Sequence, residues 1–197
     1  MATPIGHIGA GLAVFLARRK SVKAHGSSRK VLGSLCMVLA LAPDFDFIPG
    51  IFAGQPALYH RGPSHSVLAA VLAGLVGAAL FRKAGESFFP VSVTLFLAYL
   101  SHLVLDVLGP DGGYPYGMQL FWPFSASYYL SPVQLLPGVQ HAATTNMGLV
   151  AWLRTMLSWH NVYAVAFELA VFCPALLFIY FLRARRPRRM EAAEVAE

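Results

Sequence analysis

Apolar residues gather into five runs along the chain, at residues 8–17, 31–48, 66–81, 88–108 and 162–182, with short polar breaks between most of them. Five membrane helices are the expected reading, although the first run is short for a span while the last has about the length a bilayer requires. Three local signals refine the picture. Pro43 biases Ala42 away from helical geometry, so residues 43–46 (Pro-Asp-Phe-Asp) are expected to leave the second helix as extended backbone. Ser64 is the expected N-cap of the third helix, which places His65 in its first turn and His60 in the loop before it. His102 and Asp106 stand four apart in the fourth run and so share one helix face. Between residues 145 and 159 the spacing of Leu149, Trp152, Leu153, Met156 and Trp159 predicts a short amphipathic helix lying on the membrane.

Composition sharpens this into a class. The chain is 57% hydrophobic and only 12% charged, with a mean hydropathy of +0.59, outside the range of soluble domains. The expectation is an all-α integral membrane protein of about five transmembrane helices. It forms a single domain, 1–197, with a long outer segment at 109–161 and a cytoplasmic tail at 183–197. The net charge of +6 does not point to nucleic acid, because the basic residues cluster beside apolar runs, as topology signals do. No basic residue precedes the first run while Arg18, Arg19 and Lys20 follow it, the reverse of a secretory signal. Cys36 and Cys173 lie inside apolar runs and read as packing residues, not as a disulfide framework.

Alternating spans put thirteen of the fifteen Lys and Arg residues on one side, leaving Arg61 and Arg154 on the other. The positive-inside rule makes the crowded side cytoplasmic. That gives a multi-pass protein of the cell's inner membrane with a cytoplasmic C-terminus. His25 falls in the basic cytoplasmic loop, and His141 and His160 read as outer loop residues. The same alternation gathers His7, Asp44, Asp46, His60, His65, His102 and Asp106 near the outer surface, with Glu168 about 9 Å inside the start of the last span. Ionisable groups at such depth mark function.

Neutral imidazole with carboxylate is a ligand set that zinc accepts and that also suits manganese or iron. Seven candidate ligands exceed the needs of one catalytic ion, so one or two divalent ions are expected. A bound metal lowers the pKa of water and so supplies hydroxide for hydrolysis. Arg61 is the natural partner for a phosphate oxygen; Asp46 can serve as ligand or as a carboxylate that orients a histidine; Glu168 can reach the metal or hydrogen-bond another helix. The aromatics Tyr114, Tyr116, Phe121, Trp122, Phe124, Tyr128 and Tyr129 form a belt suited to headgroup depth, which favours a membrane lipid or lipid-linked substrate.

The ordered set GHIGAG, LAPDFDF, YHRGPSHS, SHLVLDVLGPDGG and FWPFS resembles the YdjM-like family of membrane-bound metal-dependent hydrolases. The resemblance runs from about His7 to Phe124, with Glu168 also matching. It implies a multi-span protein with His7, Asp44, Asp46, His60, His65, His102 and Asp106 at a metal site, and catalytic roles are expected for Arg61, Asp46 and Glu168. The chemistry is also similar to that of zinc-dependent phospholipases C and single-strand nucleases. The expected activity is hydrolysis of a phosphoester in a lipid or lipid-linked molecule. The alternatives are a non-catalytic metal-binding membrane protein and a metal transporter.

Overall fold

The computed structural model describes residues 1–22, 26–55, 59–82, 87–111, 116–140 and 149–184. Among these it is helical, with seven α-helices: α1 (Pro4–Arg18), α2 (Gly26–Leu39), α3 (Phe47–Phe52), α4 (Val67–Arg82), α5 (Phe88–Val107), α6 (Leu149–Met156) and α7 (Trp159–Ala184). His25, Lys83, Tyr114, His141, the first residues of the 145–159 stretch and the arginines beyond residue 184 lie outside the described residues.

α5 is the spine of the fold and packs against α4, α1 and α2, while α1 also lies along α7. Its buried row begins with Val91, Leu95 and Ala98 and ends with His102 and Asp106, so one helix face runs from apolar core into the polar layer. The contact with α4 is close because Gly74 has no side chain. A Cβ there would stand 2.8 Å from the Ser92 carbonyl oxygen, and small residues at such crossings let membrane helices approach. Leu32 and Cys36 of α2 and Ala78 and Phe81 of α4 complete the apolar core around Val91, Leu95 and Ala98.

The second apolar run is broken, not straight. α2 ends at Leu39, and Ala42–Asp46 forms a 3₁₀ helix that leads into α3, with a 56° bend between the two halves. The expected extended backbone at Pro-Asp-Phe-Asp is therefore corrected. Pro43 occupies the start of the 3₁₀ helix, where its missing N–H costs no hydrogen bond. The cap of α4 is also displaced from expectation. Ser66, not Ser64, accepts the Ala69 N–H at 3.1 Å, so His65 sits in the 3₁₀ turn Pro63–His65 just ahead of α4.

α5 and α7 are long and apolar enough to cross a membrane, and the bent pair of α2 with Ala42–Phe52 is a third candidate. α1 and α4, at 15 and 16 residues, are apolar but span only ~22–24 Å against a hydrocarbon core of ~30 Å. Among the described residues there are thus two to three candidate spans where five were expected. α7 begins at Trp159, three residues before its apolar run, so His160 lies on a helix, where its Nε2 bonds the Gly138 carbonyl at 2.9 Å. The amphipathic helix is present as α6 and ends before Trp159.

Candidate metal centre

Four side chains from three elements meet at the C-terminal half of α5. Asp44 comes from the 3₁₀ helix after α2, His65 from the turn before α4, and His102 and Asp106 from successive turns of α5. One donor atom from each lies within 4.8 Å of all the others. Asp106 and His65 and His102 are buried, and Asp44 keeps 19% of its side chain exposed, so the group is open at Asp44.

Each histidine is aimed by a bond on its far side. α2 ends with unpaired carbonyls, as every helix does, and one of them, on Ala40, takes His102 Nδ1 at 2.8 Å. That bond leaves His102 Nε2 facing Asp106 Oδ2 at 3.2 Å and Asp44 Oδ1 at 3.5 Å. His65 Nδ1 lies 3.1 Å from Asp46 Oδ2, and its Nε2 faces Asp44 Oδ1 at 3.7 Å and Asp106 Oδ2 at 3.9 Å. A backbone or carboxylate acceptor on one ring nitrogen, with the other presented inward, is the arrangement by which proteins orient metal-binding imidazoles.

The group is left incomplete by the protein's own atoms. Asp44 Oδ1 and Asp106 Oδ2 are buried with no hydrogen-bond partner among the described residues, and His65 Nε2 and His102 Nε2 stand 3.3 Å apart. Buried carboxylate oxygens without partners are costly, and two nitrogen lone pairs turned toward each other repel unless a cation or proton lies among them. Two nitrogens and two oxygens form a donor set that fits a divalent transition metal. Burial pushes the His65 imidazole down, but its bonds to Asp44 and Asp46 outweigh that and raise its pKa to about 9.

The other expected site residues stand around this group. His7 stacks on His102 with ring centroids 3.9 Å apart, and its Nε2 lies 3.2 Å from Asp106 Oδ1. Asp106 Oδ1 also accepts the Ala2 N–H at 2.9 Å. Asp46 belongs to a second cluster with His60 and His65, but its oxygens are already engaged. They take His60 Nδ1 at 2.8 Å, the Arg61 N–H at 3.1 Å and the Ser64 hydroxyl at 2.8 Å. This geometry makes Asp46 a support for His65. His60 is turned away from the four-residue group: its Nε2 lies 2.8 Å from Met1 Sδ and its ring stacks on Phe47. Burial holds the His60 imidazole down to about 4 despite the pull of Asp46, so it is neutral.

Two expected catalytic residues are placed differently. Glu168 lies in neither cluster. Its carboxylate accepts the Thr3 N–H at 2.8 Å and the Thr3 hydroxyl, which ties α7 to the positive N-terminal end of α1. Gly6 makes room for it, since a Cβ there would collide with the Glu168 carboxylate. Arg61 is in an ion pair with Asp111, a residue that sequence reasoning did not single out although it lies in the quoted motif. Tyr99 was also missed, and Ser64 was read only as a cap; the Tyr99 hydroxyl donates to the Ser64 carbonyl at 2.7 Å and so steadies the turn carrying His65.

Apolar helices of spanning length around a buried His/Asp group define a class, helical membrane proteins with a candidate metal site. The family model described as YdjM inner membrane protein matches residues 1–186, and the chain belongs to that family. No curated protein and no solved structure matches it.

Proposed function

We propose that this chain is a membrane-embedded, metal-dependent hydrolase that cleaves a phosphoester of a lipid or lipid-linked molecule. The observation that carries the reading is the meeting of Asp44, His65, His102 and Asp106, with two carboxylate oxygens buried and unpartnered. These four residues would hold one divalent ion, zinc by preference, which when bound supplies an acidified water and a Lewis acid. The surrounding residues do the rest. Asp46 fixes the His65 ring, the Ala40 carbonyl fixes His102, and His7 braces Asp106 and His102. Asp44, on the open side, borders the path by which substrate arrives, and Arg61 grips a phosphate oxygen.

A lipid substrate is favoured by the apolar surface of the elements that carry the site. Phe45, Ile48 and Phe52 are exposed next to the Asp44 turn, as are Phe121 and Phe124 in the outer segment and Leu157 and Trp159 before α7. The basic clusters set the orientation, with the site outward and the C-terminus cytoplasmic; a cysteine at position 55 that labels from the cytoplasm would refute it. A second reading, a structural metal in a non-catalytic protein, draws on the fact that four protein ligands are what a closed structural site uses.

One experiment separates the two. The purified protein is matched in metal content with Arg61→Lys, and both are assayed for release of headgroup or phosphate from a lipid panel. Hydrolysis predicts that the variant keeps its metal and slows by roughly 10²-fold, as for other preorganised charge-stabilising groups. No release by the unaltered protein from any lipid, or equal rates, favours the structural metal.

A further inference from the structure

Arg61 is held from both ends. Its backbone stands at φ 68°, a region non-glycine residues enter only when the surroundings enforce it. Here its N–H donates to Asp46 and its carbonyl accepts the Gln119 N–H at 3.2 Å. At the other end the guanidinium pairs through Nη1 with Asp111, whose Oδ2 also accepts the Gly117 N–H at 2.6 Å. Only 11% of the Arg61 side chain and 3% of the Asp111 side chain are exposed, so water screens this pair little.

Nη1 is the nitrogen on the Cδ side of a guanidinium. The opposite edge carries Nε–H and Nη2–H, two parallel donors spaced to receive two oxygens of one phosphate. Nε on that edge is buried and has no hydrogen-bond partner among the described residues. An oxyanion would satisfy it. Charge decides which oxyanion. Asp111 cancels the charge of the guanidinium and Asp46 acts on the same group through space, while the charges of Asp44 and Asp106 would be offset by the ion they hold. An extra negative charge on a ligand finds no surplus positive charge at this edge and is repelled by Asp46 and Asp111.

Resting on the hydrolase reading above, we propose that Asp111 is a positioning and specificity residue: it turns the Nε/Nη2 edge of Arg61 toward a singly charged phosphodiester and selects against doubly charged phosphomonoesters. The pair offers hydrogen bonds in the right geometry without surplus positive charge. A diester needs the first and not the second.

The test is a binding measurement on the full-length zinc-loaded protein in detergent, with short-chain phosphatidylmethanol and phosphatidic acid as probes. The two differ by one methyl on the phosphate and, at about pH 8.5, above a second phosphate pKa of ~6, by about one charge. The diester should bind at least ~10-fold tighter, the lower end of what one nearby charge does to a partner equilibrium. Asp111→Asn, which keeps an acceptor for Gly117, should erase the preference by tightening the monoester ~10-fold. If that variant does not fold, Arg61→Lys serves instead, and it should weaken the diester ~10-fold. Dimethyl and methyl phosphate, added as competitors, tell recognition of a free phosphate from recognition of a lipid headgroup. Tighter monoester binding by the unaltered protein, an unchanged ratio in Asp111→Asn, no binding of either probe, or an unaffected Arg61→Lys would overturn the proposal. Binding and product release are read separately, so preference without hydrolysis sinks only the activity, and hydrolysis without preference sinks only the role of Asp111.

Discussion

Val91, Leu95 and Ala98 in the first half of α5 are packed to zero exposure by Leu32, Cys36 and Ala78, and every neighbour they need belongs to the protein. One to two turns further along the same helix, His102 and Asp106 are just as deeply buried, but Asp106 ends in an oxygen that no described residue satisfies. Burial therefore means two things in one helix. In the first half it is the source of stability, because packed apolar atoms lose nothing by leaving water or lipid. In the second it is a cost left open, which a cation would close. A site of this kind is recognised by what its buried groups lack.

The comparison can be broken from either end. The largest effect is expected from Asp106→Ala, which removes a donor and leaves His7, His65 and His102 facing a gap. Metal affinity should fall by more than about 100-fold, beyond the 10- to 100-fold typical of losing a supporting partner. Metal analysis after dialysis against a weak chelator reads it, and full retention of metal would remove Asp106 from the centre. In the apolar half, Leu95→Ala should lower stability in detergent by about 2–5 kcal/mol with metal content unchanged. A large loss of metal there would mean the halves are not independent.

The smallest effect is that of pH. The His65 value of about 9 lies above its ordinary 6.5, so its protonation stabilises the ion-free fold. That contribution is complete below about pH 6.5 and disappears as the pH rises through about 9. Metal binding runs the other way, because the ion must displace this proton. Affinity should climb by up to ~10-fold per pH unit and level off above about pH 9. Chelator competition across that range checks it, and a flat profile would place His65 outside the ligand set.

What was legible in the chain followed from short-range spacing. His102 and Asp106 were readable as a pair because a helix puts residues four apart on one face, and apolar runs named the helices that carry them. The bend after α2 was misread because the restriction Pro43 places on Ala42 was weighed without the opposite tendency, that proline starts helical turns well. Glu168 was readable as an acid inside an apolar run, able to reach the metal or another helix, but nothing local reveals that its partner is Thr3, 165 residues away. The Arg61–Asp111 pair escaped for the same reason. Asp111 lies in a quoted motif yet carries no local signal of its role, although all four aspartates of the chain, residues 44, 46, 106 and 111, are drawn to this one layer.

The origin of the four donors in separate stretches has a consequence for biogenesis. Asp44 and His65 leave the ribosome well before His102 and Asp106, and α5 must enter the bilayer before the last two stand beside the first two. No nascent chain shorter than residue 106 can hold the ion through all four. Capture of an ion by all four would therefore wait for α5 and would lock that helix to the turns at either end of the linker before α4. A retained ion would be a chemical receipt that α5 has taken its place beside those turns, with α6 and α7 still to follow.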